Sequence, residues 1–129
     1  MDKLPLIPVS WGEVIDKITI LEIKEQRIPG EAALRNIRNE LSALREIVDA
    51  QGDALEVIAH LVDKLREVNL RLWNVEDAIR LKERDGAFDA EFIQLARSVY
   101  FENDERSAIK REINRITGSA LVEEKSYQK

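Results

Sequence analysis

Residues 53–84 read DALEVIAHLVDKLREVNLRLWNVEDAIRLKER, with no glycine or proline in the run. Within it Ile58, Leu61, Leu65, Val68, Leu72, Val75 and Ile79 recur at alternating spacings of 3 and 4. That rhythm draws one apolar seam along a helix, with the period of a helical bundle. A continuous helix of this span is ~48 Å long at 1.5 Å per residue. The expectation is a rod along which the other helices pack.

The flanking segments carry the same period. Ser10-Trp11-Gly12-Glu13 matches a capping box, in which the hydroxyl takes the N3 amide and the glutamate reaches back to the cap. Val14, Ile18 and Leu21, with Ile15 beside them, form the inward stripe of a first helix that ends at Pro29-Gly30. A second helix is expected from Glu31 to Ala50 on Leu34, Ile37, Leu41, Leu44 and Val48. Gln51-Gly52-Asp53 is the turn, with Asp53 as the cap of the third helix. A fourth follows Asp85-Gly86, from Phe88 to Thr117, with Gly118 as a left-handed stop. The predicted fold is all-α: one domain over residues 1–129, an antiparallel four-helix bundle with an extended hairpin of helices three and four. Residues 1–9, with Pro5 and Pro8, read as an extended arm docked through Leu4 and Ile7, and residues 119–129 as a polar tail.

In an antiparallel hairpin, paired positions have a constant sum. Leu44 with Ile58, Leu41 with Leu61, Ile37 with Leu65 and Leu34 with Val68 meet that condition, so helices two and three are expected to pair around Gly52. The far end, from Leu72 to Phe101, lies beyond the reach of helices one and two. It holds Trp73, Phe88, Phe92, Tyr100 and Phe101, five of the seven aromatic residues. A two-helix arm cannot bury that surface alone, which makes these five the expected interface of a homodimer.

Charge excludes some functions. The chain carries 20 basic and 25 acidic residues, interleaved, for a net charge of −5. Without a basic stripe, nucleic-acid binding lacks its electrostatic driving force. There is no cysteine, which removes disulfide and thiolate chemistry. No stretch has the ~20 apolar residues of a membrane span, and residues 1–9 do not form a signal peptide. The reading is a soluble, cytoplasmic protein.

Two polar constellations are candidate binding sites. On helix four, Glu102 and Arg106 interrupt the seam of Phe92, Leu95, Val99, Ile109, Ile113 and Ile116, one turn apart and of opposite sign. Their level also holds Arg66 and Asn69, and Glu22 and Glu25 near the end of helix one. The competing reading is a paired layer that fixes register. On helix three, Asn69, Trp73, Glu76, Asp77 and Arg80 share one face. Carboxylates beside an arginine suit a cation or a sugar, with Trp73 as a stacking platform. The competing reading is a solvated or subunit-facing surface. His60, the one histidine, lies off the seam and reads as a surface imidazole. No catalytic residue, metal site or cofactor motif is legible.

Glu22/Glu25 and Glu46/Asp49 resemble the ExxE and ExxD pairs with which all-α nucleotide pyrophosphohydrolases hold magnesium. In the expected register the pairs miss each other by ~16 Å along the axis, whereas magnesium takes oxygens at about 2.1 Å.

Several strings together resemble a known family: SWGEVIDKITILEIK (10–24), LWNVEDAIR (72–80), FIQLARSVY (92–100), Asn103-Asp104, KREIN (110–114), Ser119 and EEKSY (123–127). They are similar, over nearly the full length, to a family of small bacterial proteins of unknown function associated with surface-polysaccharide gene neighbourhoods. That resemblance implies no activity, fold or catalytic residue. The leading expectation is a non-enzymatic helical module that dimerises and binds a protein partner. The alternative is a small metal-dependent hydrolase.

Overall fold

The computed structural model describes residues 4–119, and within them the chain is helical, with no strand. Four α-helices, α1 (Trp11–Arg27), α2 (Glu31–Asp49), α3 (Ala59–Arg84) and α4 (Ala90–Thr117), are joined by short turns and by one 3₁₀ segment, Gly52–Ile58. The expected tail lies almost wholly outside the described residues.

The 3₁₀ segment corrects the rod. Residues 52–58 are not the first turns of α3, and α3 opens at Ala59 after Ile58, without a side-chain cap. A 3₁₀ turn puts i and i+3 on one side. Here that brings Leu55 and Ile58 together onto the core, with Ile58 fully enclosed. Starting at Ala59, α3 is 26 residues, or ~39 Å long. It runs unbroken through Asn69 and Asn74.

The hub is α1, which packs on α2, α3 and α4 alike. One of its faces, Val14, Ile18 and Leu21, meets Ile37 and Leu41 of α2. The adjoining face sets Ile15 against Ile58, Leu61, Leu65, Val68, Ile109 and Ile113. Helices α2 and α3 therefore both flank α1, and their backbones do not approach each other closely. The expected pairing of Leu34, Ile37, Leu41 and Leu44 with α3 is wrong for this reason: Ile37, Leu41 and Leu44 are spent on α1. A groove of about 440 Å³ opens between α2 and the 3₁₀–α3 segment, floored by Ile15, Ile18 and Ile58.

The start of α1 is fastened to the end of α4. Ser10 Oγ accepts from the Glu13 amide at 3.2 Å, as the capping box requires. Glu13 does not reach back to the cap but pairs with Lys110 Nζ. The Gly12 amide donates to Asn114 Oδ1 at 2.8 Å, and α4 passes so close that a Cβ on Gly12 would lie 2.8 Å from that oxygen and from the Lys110 carbonyl. Gly118 (φ 68°) stops α4 in the left-handed conformation. At the other turn α4 begins at Ala90, not Phe88, because Asp89 is the cap and accepts from the Phe92 amide at 2.9 Å. The arm does not dock: Leu4 is 88% and Ile7 73% exposed.

Candidate functional site: a polar cleft at the root of the hairpin

Where α1 gives out, α3 and α4 continue as a pair. Arg27, the last residue of α1, reaches Asn74 Oδ1 at 3.4 Å. Beyond that level no residue from 73 to 106 is buried. Two features occupy this half of the molecule: a polar cleft at its root and an apolar surface along its arm.

The cleft, of about 440 Å³, is lined by Ile20, Asn69, Leu72, Trp73, Glu76, Asp77, Arg80, Asn103 and Arg106. Spacings of three and four bring Asn69, Trp73, Glu76, Asp77 and Arg80 to one face of α3, and the structure places all five on the cleft. Arg106 joins them from α4, whereas Glu102 does not. The two were expected to pair with each other; they pair across helices instead. Glu102 Oε2 accepts from Arg71 Nε at 2.9 Å, and Arg106 Nε donates to Asp16 Oδ1 of α1 at 2.9 Å. The hydrogen bond to the Glu102 carboxylate raises the Arg71 guanidinium above its ordinary value.

Beneath the cleft is a buried polar network. Asp16 (4% exposed) takes a second bond from Arg106, through Nη2, and one from Asn69 Nδ2 at 3.0 Å. Asn69 Nδ2 also donates to Thr19 Oγ1 at 2.9 Å, and that hydroxyl donates to the Asp16 carbonyl at 2.8 Å. The Asp16 carboxylate fixes which way the Asn69 amide faces, because only the NH₂ group can donate to it. Both Asn69 hydrogens are thereby spent, and its Oδ1 accepts no hydrogen bond among the described residues. No buried side-chain oxygen is left unpaired there, so that oxygen is open to the cleft.

Asp16, Thr19 and Asn103 belong to the site and were not among the expected residues. The available signal was modest: Asp16 and Thr19 lie one turn apart, on the side of α1 turned away from Val14, Ile18 and Leu21.

The arm carries the aromatic residues. Phe88 (59%), Tyr100 and Phe101 (57%) are exposed, as are Leu81 and Ile93. Phe92 is half-buried and meets Phe88 edge to face at 5.2 Å. Tyr100 and Phe101 lie 4.7 Å apart, and Arg97 sits 5.9 Å over the Phe101 ring. Of the five expected interface residues, Trp73 alone lines the cleft.

The carboxylates of the first ExxE-like pair go to separate partners. Glu22 bonds to Arg66 at 3.2 Å and Glu25 to Arg38 at 3.3 Å. Glu22 and Asp49 share the rim of the groove beside α2, but no group of three or more metal-ligating side chains forms among the described residues. His60 is exposed.

The class is thus an all-helical protein of the described residues, with no helix among them long and apolar enough to cross a membrane. The chain belongs to a family of unknown function, DUF6165, whose model matches residues 6–129. No curated protein and no solved structure matches it.

Proposed function

We propose that the chain is a single-domain, non-enzymatic homodimerisation module: an antiparallel four-helix bundle whose α3–α4 arm packs on the arm of a second copy. The carrying observation is that the arm has no buried residue from 73 to 106 while exposing Leu81, Phe88, Ile93, Tyr100 and Phe101. Monomers rarely leave large apolar patches in water. The antiparallel reading is supported by contacts that step forward on α1 and back on α4: Gly12 with Asn114, Glu13 with Lys110, Asp16 with Arg106.

A second copy is the occupant that the charge at the outer, aromatic part of the arm permits, while the root of the arm is acidic. Residues 79–101 hold equal numbers of basic (Arg80, Lys82, Arg84, Arg97) and acidic (Glu83, Asp85, Asp89, Glu91) side chains, in a chain of net charge −5. A locally neutral surface meets itself without repulsion, as a two-fold interface requires. Phe88, Phe92, Tyr100 and Phe101 form its centre, with Trp73 at its margin. A protein partner could then bind the dimer, in a cytoplasmic setting.

Light scattering tests this. The expected result is twice the chain mass at micromolar concentration, reduced to the chain mass by Phe101→Glu with unchanged helical circular dichroism. A wild-type protein that stays monomeric overturns it.

A further inference from the structure

We infer that the cleft at the root of the hairpin binds a neutral saccharide unit. This goes beyond self-association, which uses the arm and not the cleft floor. The volume of about 440 Å³ is within the range of small-molecule sites. Its polar groups are of both kinds. Asn69 Oδ1 is an acceptor that the Asp16–Thr19 network holds in place and leaves open to the cleft. Asn103 Oδ1 takes Arg106 Nη1 at 3.4 Å, and its Nδ2 has no acceptor among the described residues. A hydroxyl group both donates and accepts, so it satisfies the two amides together, which a purely cationic or purely anionic group does not.

The charges on the walls point the same way. Arg106 is matched by Asp16, and Arg80 lies 3.8 Å from Glu76 in a loose pair. Asp77 adds one carboxylate. Two guanidinium groups among three carboxylates leave a single net negative charge, so an anion is disfavoured, and the five groups offer further donors and acceptors to hydroxyls. Trp73 supplies the apolar element: it lines the cleft half-buried and makes no ring contact with another aromatic or guanidinium group among the described residues. Its face is suited to the C–H face of a pyranose ring.

The experiment is saturation-transfer NMR on the intact chain, with the methyl glycosides of glucose, galactose and N-acetylglucosamine as probes and tetramethylammonium chloride as the cationic comparison. The expected result is transfer to the ring protons of at least one glycoside at millimolar concentration. Trp73→Ala should weaken it by about tenfold or more, the scale of a lost aromatic contact, while Trp73→Phe and Phe101→Glu retain it. Glu76→Gln, on the cleft wall, gives a second reading and should also weaken binding. Transfer to no glycoside overturns the inference. So does transfer to tetramethylammonium alone, or glycoside binding that neither Trp73→Ala nor Glu76→Gln changes. A monomeric wild-type protein that still binds the glycoside refutes the dimer and leaves this inference standing.

Discussion

Asp16 of α1 and Arg106 of α4 meet in a two-pronged pair, with Arg106 Nε 2.9 Å from Asp16 Oδ1 and the carboxylate 4% exposed. Of the charged layer expected around Glu102 and Arg106, this is the part that is buried, and its acid comes from a different helix. Arg106→Met should therefore strand Asp16, not Glu102. The expected loss is at most about 3–5 kcal/mol, the figure for breaking a fully buried pair, because Arg106 is 28% exposed and Asp16 keeps the Asn69 bond. Adding Asp16→Asn should recover much of it, because an amide costs less to bury than a carboxylate. Urea denaturation of the three proteins checks this. Equal and small effects in the single and double variants would deny the pair a structural role.

Gly12 marks the second fastening. Its missing side chain lets α4 approach until Asn114 Oδ1 accepts from its amide. Gly12→Ala should force α1 and α4 apart and cost about 1–3 kcal/mol, as overpacking does. The same substitution at an exposed helical position would stabilise. Thermal unfolding distinguishes them: a raised midpoint would mean that the two helices are not held this closely.

The α3–α4 turn should respond to pH through Asp89 and Lys82. Lys82 Nζ lies 2.9 Å from Asp89 Oδ2, and this bond first, then the Phe92 amide, holds the Asp89 carboxyl below its ordinary 3.8. The folded pKa is thus depressed, so its contribution to stability is present above the ordinary value. It is lost as pH falls through the lower folded one. Lys82 behaves oppositely: Asp89 and then Glu91 raise it above 10.5, so its contribution is present below that value and fades as pH rises through the folded one. Carboxyl NMR titration should give Asp89 a midpoint below that of an unfolded aspartate, and Lys82→Met should move it up towards the ordinary value without reaching it, because the Phe92 amide bond remains. An unchanged midpoint in Lys82→Met would remove the lysine as the cause.

The helical class and the turns near Pro29, Gly52 and Gly86 were legible in the sequence, because apolar periodicity and glycine placement are local signals. The polar face of Asn69, Trp73, Glu76, Asp77 and Arg80 was legible for the same reason, since all five sit on one helix. What was not legible is what packs on what. Leu34, Ile37, Leu41 and Leu44 satisfy the hairpin condition with α3, yet Ile37, Leu41 and Leu44 pack against α1. Constant-sum register cannot tell which neighbour a seam selects. The partner of Arg106 was missed through the same gap: Asp16 lies 90 residues away, and no local pattern connects them. The 3₁₀ start before α3 was hidden because Leu55 and Ile58, three apart, fit either helix.

The most direct test of self-association uses the absence of cysteine in the chain. Ala96, exposed on α4 between Ile93 and Tyr100, accepts a single cysteine without touching the core. A nitroxide on Ala96→Cys, measured by pulsed electron double resonance, should show one defined distance between copies, and Phe101→Glu in the same background should abolish it. A labelled protein with native helical content and no dipolar modulation between copies would contradict the account.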